Sequence, residues 1–296
     1  MYLGIFLTLS GTVLLSGSFA ARRLGLVTSN YSTFILYSVL VGCVISGLTI
    51  AGMGDGLPPL KVGTILPFVV TGALGGGFLG RLASTIAVRE IGAARTHAII
   101  SASPLVTAVL SFTVLGERFS FSLGLGLILI VLGASSLSFF TYKKQLAITR
   151  GREKGPWFGL LFAFYVMSIG GIVPILRLIG LNQGATPLHG IFIRFTTGLV
   201  VYLCYVCFSK LKLDFHSRPA RIYFIFAAVV GAIGPIMGMY ALLFVSPVYY
   251  AALSRVGPLF TTLFAWLFLK DFEKITSRMV LGAAFIVAGA VLVSLS

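Results

Sequence analysis

The sequence predicts an all-α integral membrane protein whose ten transmembrane helices form two inverted five-helix repeats. Three observations predict it. Of 296 residues, 58% are hydrophobic and only 10% charged, whereas soluble domains carry about 25% charged residues. Ten apolar runs are long enough to cross a bilayer core of about 30 Å, which takes about 20 residues of helix. Finally, the stretch from Gly75 to Glu117 recurs without a gap as Val229 to Asp271, and a repeat in so apolar a chain points to a transporter built of two related halves.

The runs fall near residues 2–20, 33–52, 63–87, 92–115, 120–141, 157–180, 187–208, 222–245, 248–269 and 276–295. They are continuous rather than alternating, which excludes a barrel. The first begins at Met1-Tyr2 without a basic leader and reads as a retained span. Its Gly4-Ile5-Phe6-Leu7 resembles Gly159-Leu160-Leu161-Phe162 of the sixth, and Arg22 with Gly25 falls on Arg177 with Gly180. Cys43 lies in the second run; Cys204 and Cys207 in the seventh spell C-x-x-C without the strand–helix context that redox or metal chemistry needs.

The third and eighth runs carry the densest correspondence. Gly77 pairs with Gly231, Gly80 with Gly234 and Ala87 with Ala241. Gly76 with Gly80, Gly80 with Ser84, and Gly234 with Gly238 are spaced for close helix approach. In the fourth and ninth runs Pro104 falls on Pro258, each expected to interrupt a helix and mark a bend, and together with Gly77, Gly80, Gly231 and Gly234 they are the candidate hinge or gating residues. Pro174 and Pro235 are similar without matched partners. In the fifth and tenth runs Gly126 and Gly133 fall on Gly282 and Gly289 after a two-residue shift. The first repeat therefore occupies 1–141 and the second 157–296, joined by a basic loop at 142–156 that holds Lys143, Lys144, Arg150, Arg152 and Lys154. Five spans per half oblige the second half to enter the membrane from the opposite side, which is the arrangement of alternating-access carriers.

These features resemble the EamA-type proteins of the drug/metabolite transporter superfamily. The residues that carry the resemblance are Ser103-Pro104-Leu105 followed by Leu115-Gly116-Glu117, their counterparts Gly257-Pro258-Leu259 and Leu269-Lys270-Asp271, and the end of the opening helix, Gly17-Ser18-Phe19-Ala20-Ala21-Arg22. Asp271 after a lysine departs from the family's usual acidic ending. The resemblance implies ten helices, transport across the cell membrane, and termini in the cytoplasm. Charge says otherwise on the last point: one face collects about fifteen Lys/Arg and the other about two, Lys61 and Arg118, and the positive-inside rule then places both termini outside.

Net charge is +15. In a membrane chain it belongs to loops and lipid headgroups, not to nucleic acid. Charges within spans are costlier, at least about 2.5–3.5 kcal/mol for an arginine near the bilayer centre. Arg194 and Arg255 each lie about eight residues into their runs, which start from the same face, so both are expected at similar depth. Arg81, Arg95 and His97 lie nearer the opposite face as a second basic vestibule, with His97 also a candidate ligand contact. The seven acids, Asp55, Glu90, Glu117, Glu153, Asp214, Asp271 and Glu273, fall at run ends or in loops. A cationic drug would find no mid-membrane carboxylate. Unpaired arginines suit a carboxylate or phosphate instead, with Tyr240, Tyr249, Tyr250, Ser101 and Thr96 near enough in register to add hydroxyls or stacking.

Nucleotide-binding, metalloprotease and serine-hydrolase signatures are absent, so neither enzymatic activity, cofactor nor ATP drive is expected, and transport would run on a gradient or on exchange. The expected partners are a small anionic or zwitterionic substrate, the lipid bilayer, and a coupling ion or counter-substrate. Two readings remain compatible with the same helices: an exporter of hydrophobic drugs, and a non-carrier such as a lipid scramblase.

Overall fold

A computed structural model describes residues 1–25, 28–53, 61–91, 96, 99–117, 120–141, 156–209, 213–215, 218–257, 259–260, 263–264 and 277–295. Every regular element among them is helical: α1 (Tyr2–Gly25), α2 (Tyr31–Met53), α3 (Val62–Ala73), α4 (Leu79–Ile91), α5 (Ser103–Leu115), α6 (Phe121–Thr141), α7 (Pro156–Asn182), α8 (Pro187–Ser209), α9 (Arg218–Ala241), α10 (Pro247–Ser254) and α11 (Ser277–Leu295). The inter-repeat loop lies outside the described residues up to Pro156. Phe6, Leu48, Val62, Phe121 and Phe208 are each more than 60% exposed. Water would not tolerate that surface, and a hydrocarbon layer would. The chain is a multi-pass integral membrane protein.

The hydroxyls of Thr8, Thr12 and Ser16 are satisfied within their own helix, as a dry surrounding favours. Along α1, Thr8 donates to Gly4 O, Thr12 to Thr8 O and Ser16 to Thr12 O, at 2.7–2.8 Å. Small residues then set the crossings. A Cβ on Gly11 would lie 2.8 Å from Gly234 O, and one on Gly234 would lie 2.8 Å from Gly11 O, so α1 and α9 meet backbone to backbone. Ser18 Oγ adds a 2.6 Å hydrogen bond to Ala227 O.

The contacts reveal how the halves are related. Gly126 of α6 packs on the backbone of Gly289 in α11, and Gly133 packs on Gly282. Exchanging the halves turns one contact into the other. The rising number on α6 meets the falling number on α11, so these corresponding helices run antiparallel. In the same way Gly42 of α2 packs on Phe195 while Gly198 of α8 packs near Val39. The pairing of α1 with α9 is matched by that of α7 with α3 and α4, and α2 with α9 by α8 with α3. Two five-span repeats related by an in-plane pseudo-twofold account for all of these contacts.

Three expectations about the spans need correction. The third run is not one helix over 63–87: α3 ends at Ala73, a turn occupies 74–78, and α4 resumes. Three consecutive glycines, each about 1 kcal/mol worse than alanine in a helix, give the break. The ninth run is not a helix through 248–269 either, since α10 stops at Ser254 and Arg255 is its C-cap. Pro104 does not bend an ongoing helix. It sits in the first turn of α5, where its missing N–H costs nothing, and the break precedes it at Ala102 (φ −79°, ψ −2°). Pro258 lies outside the described residues.

Candidate functional site

The turn between α3 and α4 departs from helical backbone inside a predicted span. Leu74 N–H and Gly75 N–H still donate to Val70 O and Thr71 O, but the next bond is Gly80 N–H to Gly75 O at 3.0 Å, one residue wider than an α-turn. A Cβ at Gly77 would fall 1.7 Å from Gly72 O, and one at Gly80 would fall 2.2 Å from Gly75 O. These two glycines thus make room for their own backbone rather than for a neighbouring helix. Leu74 O accepts a 2.8 Å hydrogen bond from Tyr165 OH of α7.

Arg194 reaches into this turn. Its Nη2 occupies the space beside Gly76, 2.8 Å from where a Cβ would stand, and α3 lies against α8 through Gly72, whose Cβ would be 2.6 Å from Arg194 O. The side chain is 7% exposed, and neither its Nε nor its Nη1 has a hydrogen-bond partner. Its guanidinium carbon lies 5.3 Å from the Phe195 ring centroid.

Two further arginines complete the cluster. Arg177 of α7 is buried (6% exposed); its Nη1 donates to Tyr250 OH at 3.3 Å while Nε has no partner. Tyr250 OH itself sits against Gly238 of α9. Arg255, half-buried at the end of α10, donates from Nη2 to Ser103 Oγ at the start of α5, and its Nε is likewise without a partner. The same Nη2 lies 3.7 Å from the Cβ position of Gly170. Gly170 and Arg177 are seven residues apart on α7, so the cluster extends about 10 Å along that helix. Arg177 and Arg81 are both within electrostatic range of Arg194. Among the described residues, Arg177, Arg194 and Arg255 have no carboxylate partner.

The residues singled out from sequence therefore separate. Arg194, Arg255 and Tyr250 belong to one cluster, although Arg255 stands at a break rather than inside a helix. Ser101 is buried one residue before the Ala102 break, and Thr96 is buried as well. Tyr240, half-buried on the last turn of α9, makes no side-chain hydrogen bond among the described residues. Arg81 donates to Ser38 Oγ at 2.8 Å and lies close to Arg22; Arg95 and His97 lie outside the described residues. Gly231 faces Ser18 and Gly234 faces Gly11, both within the unbroken α9. Glu90, expected at a helix end, is in the last turn of α4 and only 3% exposed. Sequence reasoning missed Arg177, Ser103, Gly76 and Gly170. Arg177 stood in plain view as the mate of Arg22, and the signal was a charge set among Ile175, Leu176, Leu178 and Ile179.

Comparison with known proteins bears on the same architecture. The profile of the EamA-like transporter family matches twice, over residues 2–139 and 157–295. A solved structure, described only as the crystal structure of a protein, superposes with a TM-score of 0.76 over 99% of this chain and 97% of its own, at 15% sequence identity, a likeness of fold alone. Comparison with curated proteins finds no match.

Proposed function

The chain belongs to the EamA-like transporter family and is a membrane transporter, and on that premise we propose that it carries a small anionic or zwitterionic metabolite, such as an amino acid, an organic acid or a phosphorylated compound, across the cell membrane by alternating access. One observation carries the proposal: Arg177, Arg194 and Arg255 converge in the interior with unbonded N–H groups and, among the described residues, no acid to balance them. A buried charge without a partner costs several kcal/mol. A carboxylate or phosphate accepting those donors would recover that cost, which favours an anionic group over a cationic drug. The breaks at 74–78 and at Arg255 give the halves points about which to rock, and the burial of Arg177 and Arg194 fits an occluded conformation. A solute gradient, a coupling ion or a counter-substrate supplies the energy.

The test is counterflow of candidate anions in proteoliposomes. Arg194→Ala is expected to abolish exchange, and Arg177→Ala and Arg255→Ala to slow it markedly by weakening substrate affinity, while all three insert and purify normally. Exchange at the parental rate in all three would remove the site, and exchange inhibited by cationic rather than anionic compounds would remove the substrate class.

A further inference from the structure

A second polar feature lies at one end of the spans, where α5 and α10 meet. A cavity of about 240 Å³ there is lined by Ser111, Phe112, Glu117, Ser246 and Tyr249, with Leu123 and Val248 completing its apolar walls. Ser246 is the N-cap of α10, where a serine hydroxyl ordinarily accepts an amide hydrogen, yet it makes no cap bond and its buried Oγ has no partner. Ser111 is wholly buried, and its Oγ has no partner either. Burial raises the Glu117 carboxyl above the ordinary carboxylate range, and the two hydroxyls, close enough to donate to it, partly offset that rise. Beside them α5 ends at Gly116 in the left-handed region (φ 67°), so the negative end of that helix faces the same space.

One carboxylate, two buried hydroxyls whose oxygens can still accept, and a helix C-terminus select a cation of single charge. A divalent ion would want six or more oxygens. The two rings and the aliphatic walls, in a cavity larger than a bare ion needs, select an organic stem. We propose that this cavity binds a primary ammonium group on a small apolar stem, its three N–H donors shared among Glu117, Ser111 and Ser246. Phe112, 60% exposed on the outer surface, edges the mouth, so the ammonium can come from a free amine or from an aminophospholipid headgroup.

The protein in phosphatidylcholine nanodiscs, titrated with n-butylammonium chloride by calorimetry, tests this. Saturable binding is expected, weakened about tenfold by Glu117→Gln and less by Ser111→Ala, with sodium chloride at equal ionic strength giving none. Should Glu117→Gln fail to fold, Glu117→Asp retains the charge and is expected to bind more weakly but saturably. Binding that persists in Arg194→Ala keeps this result separate from the anion site. Replacing phosphatidylcholine by phosphatidylethanolamine either competes, which upholds an ammonium site filled by lipid, or does not, which upholds one filled by free amine. Binding indifferent to Glu117, or matched by sodium, overturns the proposal.

Discussion

The third span of each repeat starts from the same register and ends in a different structure. In the second copy, Ala228-Val229-Val230-Gly231-Ala232 runs unbroken through α9, while in the first, Leu74-Gly75-Gly76-Gly77-Phe78 leaves the helix altogether. Two valines replaced by two glycines decide the difference, and the opened space receives Arg194 from the opposite repeat. Arg22 and Arg177 diverge similarly. The first is stacked near the rings of Phe19, Phe34 and Tyr31, at 4.6–5.8 Å, and the second is turned inward to Tyr250. Repetition built the scaffold, and departures from repetition built the arginine cluster.

The largest effect that can break this comparison is steric. Gly77→Val places methyl groups on the Gly72 carbonyl and is expected to cost about 3 kcal/mol or more of stability. The matched Gly231→Ala displaces the Ser18 hydroxyl from its hydrogen bond to Ala227 O and is expected to cost about 1 kcal/mol. Equal shifts in thermal midpoint would mean that the two copies do not differ as described. Next comes the arginine pair. Arg177→Ala removes a charged hydrogen-bonding group and should weaken substrate affinity roughly ten- to hundredfold, since such bonds contribute about 1.5–3 kcal/mol. Arg22→Ala should lower stability and leave the KM of transport close to parental; a KM raised alike by both would erase the distinction. Tyr250→Phe keeps the ring and loses one hydrogen bond of about 1 kcal/mol, a rise in KM of roughly fivefold, with no change expected from Tyr240→Phe. The smallest effect concerns Glu117, whose carboxyl is raised above the ordinary carboxylate range by burial, partly offset by Ser246 and Ser111. The folded state then holds that proton more tightly than the unfolded chain, so the stabilisation is present below the unfolded value and is lost as pH rises through the folded one. Thermal midpoints of the parent and Glu117→Gln, measured from pH 4 to 7, should diverge as the parent falls; parallel curves would contradict it.

Much of the scaffold was legible because the signals were of the kind sequence carries well. Span lengths, the matched glycines and the odd count of helices per half led to antiparallel repeats, and Gly126, Gly133, Gly282 and Gly289 do meet at the seam between α6 and α11. The break at 74–78 was not legible by hydropathy, since Gly75-Gly76-Gly77 is apolar enough to pass for a span; the cost lies in backbone entropy and geometry. Arg194 announced itself as a charge amid apolar neighbours. Arg177 did too, but its match to Arg22 drew it into the repeat, and nothing local to Ser103 or Gly170 foretells a contact with a residue more than 80 positions away.

The arginines lie off the pseudo-twofold axis, and that has an energetic corollary. If the two copies were identical, interchanging their conformations would carry the molecule into a state of equal free energy, and the empty protein would divide its time evenly between facing one compartment and the other. Gly42 and Gly198 occupy matching contacts, which puts Ser38 where the other half has Arg194, and Ser101 corresponds to Arg255. With Ser38 answering Arg194 and Ser101 answering Arg255, the two orientations of the proposed alternating-access cycle would be chemically unequal, and the unloaded molecule would have a preferred side on which to wait.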